Sequence, residues 1–268
     1  MGVIECLSEI KSLFENAIHE GGTTAKNKLI RTSKPINLVH ELVKQGLVSR
    51  GIKENSIYPK LNESRGEISI CGSIKKKSQD ICILPKNVIP QPEYLEELKT
   101  RDIYGADFSE KILSINVRSQ MSSVAKNFDT IFERTFAEAY NLHNRLNKMV
   151  LGEVFLFPIR ELDDTYSTNH IVRYKDLNRR AENQLEKYIH YFSIINNRRN
   201  INEDYHKYEK VCLLVVDFSY ETPILYQSDK DLIQGGVVSS TFQSNLSDLS
   251  FDSFFTDIIN VYNSRFIS

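Results

Sequence analysis

No CxxC pair, no HExxH segment and no long apolar run occurs in this 268-residue chain. The four cysteines, Cys6, Cys71, Cys82 and Cys212, lie far apart, and three sit inside apolar runs. They read as small buried hydrophobes of a reduced compartment, not as a disulfide framework or a zinc site. The six histidines form no close metal-spacing pair. No stretch approaches the ~20 apolar residues needed to span a bilayer. The opening segment MGVIECLSEIKSLFENAIHE is amphipathic and carries acids throughout, unlike a secretory leader. A cytoplasmic location with no membrane partner is therefore expected. The nucleophile elbow of hydrolases, the phosphate-binding P-loop and the dinucleotide fingerprint are missing too, as are repeats and low-complexity tracts. Net charge is only −1, so no global field draws the chain to nucleic acid or membrane. Basic residues nevertheless cluster at Lys75–Lys77, Arg179-Arg180 and Arg198-Arg199, as patches able to meet phosphate or as ordinary solvated surface.

What is present is a large core: 41% hydrophobic and 26% charged residues suit a globular chain of this length. Ile4, Leu7, Ile10, Phe14 and Ile18 repeat at helical spacing, with Gly21-Gly22 expected to stop the helix and a polar connector to follow. A second helix carries Ile36, Val39, Val43 and Leu47, with Ser33 and Pro35 at its start. Residues 51–65 read as loop. Three β-prone segments follow, near 67–71, 79–84 and 112–118, as an antiparallel meander, with YLEELKTR as a short helical piece between the last two. A long helix is expected over about 122–146. LGEVFLFPI and KVCLLVVDFS read as strands buried on both sides, parallel to one another through a crossover helix that carries Leu185, Tyr188 and Phe192. A C-terminal helix closes the chain. The fold class is α/β (α+β), a mixed central sheet flanked by helices. It is expected as one domain over 1–268, with 1–34 as an N-terminal helical extension and elaborations near 85–110 and 159–206.

The chemistry concentrates in Gly66–Leu146. Asp80 heads the middle strand of the meander. Ser114, Asn116 and Arg118 alternate with apolar Leu113, Ile115 and Val117, which places three polar side chains on one face of the third strand. The same pattern also describes a half-exposed strand, and Asp80 after Ser78-Gln79 also suits the end of a turn. Asp217, inside VVDFS, needs a buried partner and reads first as structural.

With SQDICILP, then SINVRSQ running straight into a long helix, and LLVVDF near a helical end, the chain resembles a type II restriction endonuclease of the PD-(D/E)XK nuclease superfamily. The resemblance covers about residues 35–266 through short, degenerate motifs. It implies a PD-(D/E)XK restriction-endonuclease-like core, hydrolysis of double-stranded DNA with Mg2+, and a homodimer matched to palindromic targets. Asp80 matches the metal-binding acid of the second strand. Asn116 and Arg118 stand at the acid-x-lysine positions and depart from the pattern at both: an amide oxygen coordinates Mg2+ weakly, and arginine is a poor base that can clamp phosphate. Lys126 and Glu133, on the following helix, are candidate replacements for the lysine and the second carboxylate. Glu41 resembles the supporting acid of the first core helix. Base readout would fall to 85–110, 163–170 and the INNRRN segment at 195–200. The Asn-x-Arg departure also fits a catalytically inactive DNA-binding or assembly subunit of a restriction-modification system. A third reading is a small-molecule enzyme with its site at Gly235-Gly236.

Overall fold

The computed structural model describes residues 1–266. Helix α1 (Val3–Ile30) buries Cys6, Leu7, Ile10, Phe14 and Ile18. It does not stop at Gly21-Gly22. The pair kinks it, Gly22 taking φ 59°, and the polar stretch beyond resumes the helix. A positive φ costs glycine nothing, so the chain bends without ending. Lys26, 2% exposed, is then drawn in by Asp164, which anchors the second half. Helix α2 (Lys34–Val48) packs beside α1 through Val39, Leu42, Val43 and Leu47.

Ten strands follow in three sheets. β1 (Ile57–Tyr58), β4 (Ile81–Ile83), β7 (Leu113–Ser119), β8 (Val150–Pro158), β9 (Lys210–Asp217) and β10 (Ile224–Tyr226) form a six-stranded sheet in the order β1-β4-β7-β8-β9-β10. The central strands β7, β8 and β9 are parallel, and the outer pairings are antiparallel. β2 (Ile68–Cys71) and β3 (Lys76–Gln79) make a separate hairpin, as do β5 (Glu93–Leu95) and β6 (Thr100–Asp102).

The expected meander is thus split. The chain leaves the β2–β3 hairpin at Asp80 and enters the main sheet at Ile81, while the expected loop at 51–65 contributes the edge strand β1. YLEELKTR is a hairpin, not a helix. Its turn runs through Lys99 at φ 47°, and Arg145 ties the pair down by bonding Glu93 at 2.6 Å and Asp102 at 2.8 Å. Tertiary contacts override the helical propensity of Leu, Glu and Lys there.

Helices cover both faces of the sheet. On one side α1, α2 and α8 (Phe251–Phe266) pack against Ile81, Ile115, Val154 and Leu214. On the other, α4 (Phe128–His143) and α6 (Arg179–Ile195) cover Leu151, Phe155, Phe157 and Leu213. Every residue of β8 and of β9 is buried, as a parallel strand between two helical layers requires. The crossover α6, within the stretch expected as an elaboration, sends Leu185, Tyr188 and Phe192 into this core. Short helices α3 (Ala106–Ser109), α5 (Asp164–Ser167) and α7 (Asp229–Gln234) lie in connections. Among the described residues no helix is long and apolar enough to cross a membrane.

One buried ion cluster ties the far end of the sheet together. Glu209, just before β9, accepts from Arg198 at 3.1 Å, Arg265 at 2.8 Å and the Leu151 amide at 2.7 Å, and lies 3.4 Å from His143. Arg198, expected to read bases, is instead an internal ion-pair partner with a fully buried side chain. Burial opposes charge on Glu209, but His143, Arg265 and Arg198 outweigh it and hold its carboxyl down at about 2, from an ordinary 4.5. The folded state therefore binds fewer protons than the unfolded chain. The contribution of this group is fully present above pH 4.5 and fades as pH falls towards 2. Glu209→Gln should lower the unfolding free energy at neutral pH by about 3 kcal/mol, because two guanidiniums lose their counter-charge. Urea unfolding should show that deficit at pH 7 and a much smaller one near pH 3.

Candidate active site

Asp80 occupies the bend between β3 and β4. The β4–β7 register pairs Ile81 with Ile115, and one further step places Asp80 opposite Asn116. In the next strand, Asn116 is partnered by Glu153. An acid, an amide and a second acid therefore stand at neighbouring positions of one row across β4, β7 and β8, where adjacent strands are ~4.8 Å apart. Asp80 is half-buried and, among the described residues, has no ion-pair partner. Its Oδ2 accepts from the Val117 amide at 2.8 Å. Both faces of β4 are buried, so Asp80 gains its exposure from the bend and not from a solvent face of the strand.

Arg118 stands behind this row. One side of its guanidinium grips Glu153 and the other grips Glu138 of α4. Lys77, on β3, grips Glu138 as well. Glu138 and Glu153 are 2% and 0% exposed, and among the described residues Glu153 Oε1 and Glu138 Oε1 have no hydrogen-bond partner, while Arg118 takes Glu153 Oε2. The Asn116 amide nitrogen is equally orphaned. Burial pushes the Glu153 carboxyl up to about 8, with Glu138 and Asp80 adding to it and Arg118 opposing. Burial alone would lower Arg118, but Glu153, Tyr208 and Glu138 raise its pKa well above the ordinary value.

The surrounding elements fix these groups. Asn141, 1% exposed, bonds the Ile74 amide at 2.8 Å, the Lys75 amide at 3.0 Å and the Lys75 carbonyl at 3.0 Å, clasping the β2–β3 turn to α4. Gly72 permits this approach, since a Cβ there would fall 2.3 Å from Asn141 Nδ2. Lys77 is thereby carried over Glu138. Tyr208 and Tyr191 donate to the Thr135 and Phe132 carbonyls at 3.0 and 2.8 Å, locking α4 in place. Gln79 accepts from Ser114 at 2.8 Å and fixes the approach to Asp80.

Of the residues singled out from sequence, Asp80, Asn116 and Arg118 come together. Glu41, Lys126 and Glu133 do not join them. Glu41 bonds Lys44 at 2.8 Å, the Asn62 amide at 2.9 Å and Gln45 at 3.2 Å, securing α2 to the loop beyond it. Partial burial opposes its charge, but those bonds outweigh it and hold the carboxyl below its ordinary value. Its neighbour His40 is the group of α2 that faces Asp80. Burial lowers the His40 pKa, and Asp80 offsets part of that. Lys126 is exposed in the turn before α4, lining a separate cleft with Glu161 and Arg180. Glu133 is exposed because α4 turns residues 135, 138, 139 and 142 inward. Asp217 has the structural partners its burial demands, Arg160 at 3.0 Å and the Ser219 amide at 2.9 Å.

Three residues of the cluster escaped the sequence reading. Glu153 carried a usable signal, being the one acid inside LGEVFLFPI. Glu138 sits three residues from Thr135 and beside Ala139, within the packed stripe. Lys77 was one of three consecutive lysines, and only the hairpin selects it.

Compared with family models, curated proteins and solved structures, the chain matches none. Among the described residues no three His, Cys, Asp or Glu side chains converge closely enough to hold a metal ion by themselves. Mg2+ asks less of a protein, usually one or two carboxylates with water and phosphate oxygens completing the octahedron. Asp80, the Asn116 carbonyl oxygen and Glu153 Oε1 are hard donors of that kind. Arg118→Met should leave the buried Glu138 carboxylate opposed only by Lys77 and the Glu153 carboxyl without its partner, and cost about 3–5 kcal/mol. Combining it with Glu138→Gln and Glu153→Gln should restore most of that loss in urea unfolding, since the uncompensated charge is then gone.

Proposed function

We propose that the chain is a Mg2+-dependent endonuclease acting on double-stranded DNA, of the type II restriction kind. One observation carries this reading: Asp80, Asn116 and Glu153 occupy one row across three strands, with Arg118, Lys77 and His40 around them. A phosphodiester repels nucleophiles through its own negative charge, and a bound Mg2+ would neutralise a non-bridging oxygen. Asp80, Asn116 and Glu153 would hold that ion through oxygen atoms. Arg118 is a fixed cation at the carboxyl end of β7, its fork of N–H groups engaged by Glu138 and Glu153, and it would act on a phosphate through its charge. Lys77 supplies the mobile cation that Asn-x-Arg lacks in its own strand. A homodimer would match a palindromic target, and the four free buried thiols suit the reduced cytoplasm.

A second reading is favoured by the ion pairs themselves. Arg118 and Lys77 already neutralise Glu138 and Glu153, so the cluster is balanced without any added cation. A DNA-binding subunit that retains the fold without cleaving would have such a site. Plasmid cleavage in Mg2+ separates the two. Wild type should give discrete products, Asp80→Ala should reduce the rate at least about a hundredfold, and Glu133→Ala should cleave as wild type. Tight DNA binding by wild type with no cleavage in any divalent ion would favour the subunit.

A further inference from the structure

A cleft of about 430 Å³ opens at the carboxyl end of β7, between α1, the start of α2 and α4. Its walls are apolar: Phe14, Ile36, Met121, Ile131 and Phe155. Ser119 and Gln120 add hydrogen-bonding groups, and Arg134 and the stem of Arg118 line it, the Arg118 guanidinium being turned to Glu138 and Glu153. Among the described residues no carboxylate lines it. Arg118 is shared, so the cleft leads directly to the Glu138–Glu153 cluster. Ligand clefts in parallel sheets form at this end of the strands, and the volume falls within the range of small-ligand sites.

From these features we infer that the cleft takes one unpaired nucleotide of the DNA. The inference rests on the nuclease reading and adds to it the form in which the substrate enters. Arg134, an exposed guanidinium with no ion-pair partner among the described residues, calls for an anion, which a phosphate supplies. Apolar walls call for a flat, weakly solvated group, which a base supplies, and Gln120, whose amide nitrogen already donates to the Ser122 carbonyl, offers its carbonyl oxygen to a base edge. A nucleotide already unpaired has no stacking and pairing left to lose, so it should bind better than one in a perfect duplex.

The test uses the full chain in EDTA, so that DNA stays uncut. Two short duplexes carry 2-aminopurine, one fully paired and one with the probe as a single unpaired base. A single strand and deoxyadenosine monophosphate serve as further arms. The unpaired probe should bind about tenfold tighter than the paired one, with a change in 2-aminopurine emission. Met121→Trp, which fills the cleft, should abolish that preference. Arg134→Glu, a change at an exposed side chain, should weaken the single strand and the unpaired duplex together and keep the proposal testable should the tryptophan variant misfold. Binding of the monophosphate, lost in both variants, would support the cleft as a nucleotide site even if the plasmid remains uncut. Equal affinity for both duplexes, beside Asp80-dependent plasmid cleavage, would overturn this inference and leave the nuclease reading standing. Failure to bind any of the four probes would overturn both.

Discussion

The guanidinium of Arg118 is the constraint on which the middle of this molecule depends. It meets Glu153 on the neighbouring parallel strand and Glu138 on the helix above, and Lys77 of the β2–β3 hairpin closes the cluster from a third element. Four segments that are distant in sequence thus share one charge balance. Buried ion pairs of this kind seldom add net stability over well-packed hydrophobic side chains, because desolvation cancels most of the attraction. Breaking one is nevertheless costly, because it strands a buried charge.

The sheet explains why such a cluster is possible here. β8 is buried along its whole length, so Glu153 cannot reach water and must find its counter-charge within the protein. β7 is buried up to Val117 and becomes half-exposed from Arg118 onward. Arg118 sits at that boundary, with its stem beside the cleft and its charged end inward. The Glu209 cluster has the same ingredients at the other end of β8, yet there the carboxylate is satisfied by two guanidiniums, a neighbouring imidazole and a main-chain amide. The first cluster leaves one oxygen of each carboxylate without a hydrogen bond among the described residues, whereas both oxygens of Glu209 are bonded.

Much of the architecture was legible in the chain itself. Long apolar runs gave β8 and β9, and i, i+3, i+4 spacing gave α6 and the face of α4 that buries Ala139 and Leu142. Shorter elements were not. β1 has two residues, too few for any periodicity, and the β5–β6 hairpin is written in helix-forming residues that the Arg145 ion pairs overrule. At the site, Asn116 and Arg118 could be read because alternation within one strand is local, and Asp80 because it heads the apolar run ICIL. Lys77, Glu138 and His40 depend on how the hairpin, α4 and α2 are laid against that strand, which no local pattern records. Glu153 is the exception: an acid inside a doubly buried strand is the same anomaly that flagged Asp217.

The bond from the Val117 amide to Asp80 has a consequence for how this edge of the sheet is built. At the bend, β4 has no main-chain carbonyl to offer Val117, and the carboxylate takes its place as the last rung of the ladder. A group suited to gripping an ion is thus also a seam between two strands. Selection on either role restricts the other, so an asparagine, which keeps the acceptor, and an alanine, which opens the seam, are unequal replacements at one position.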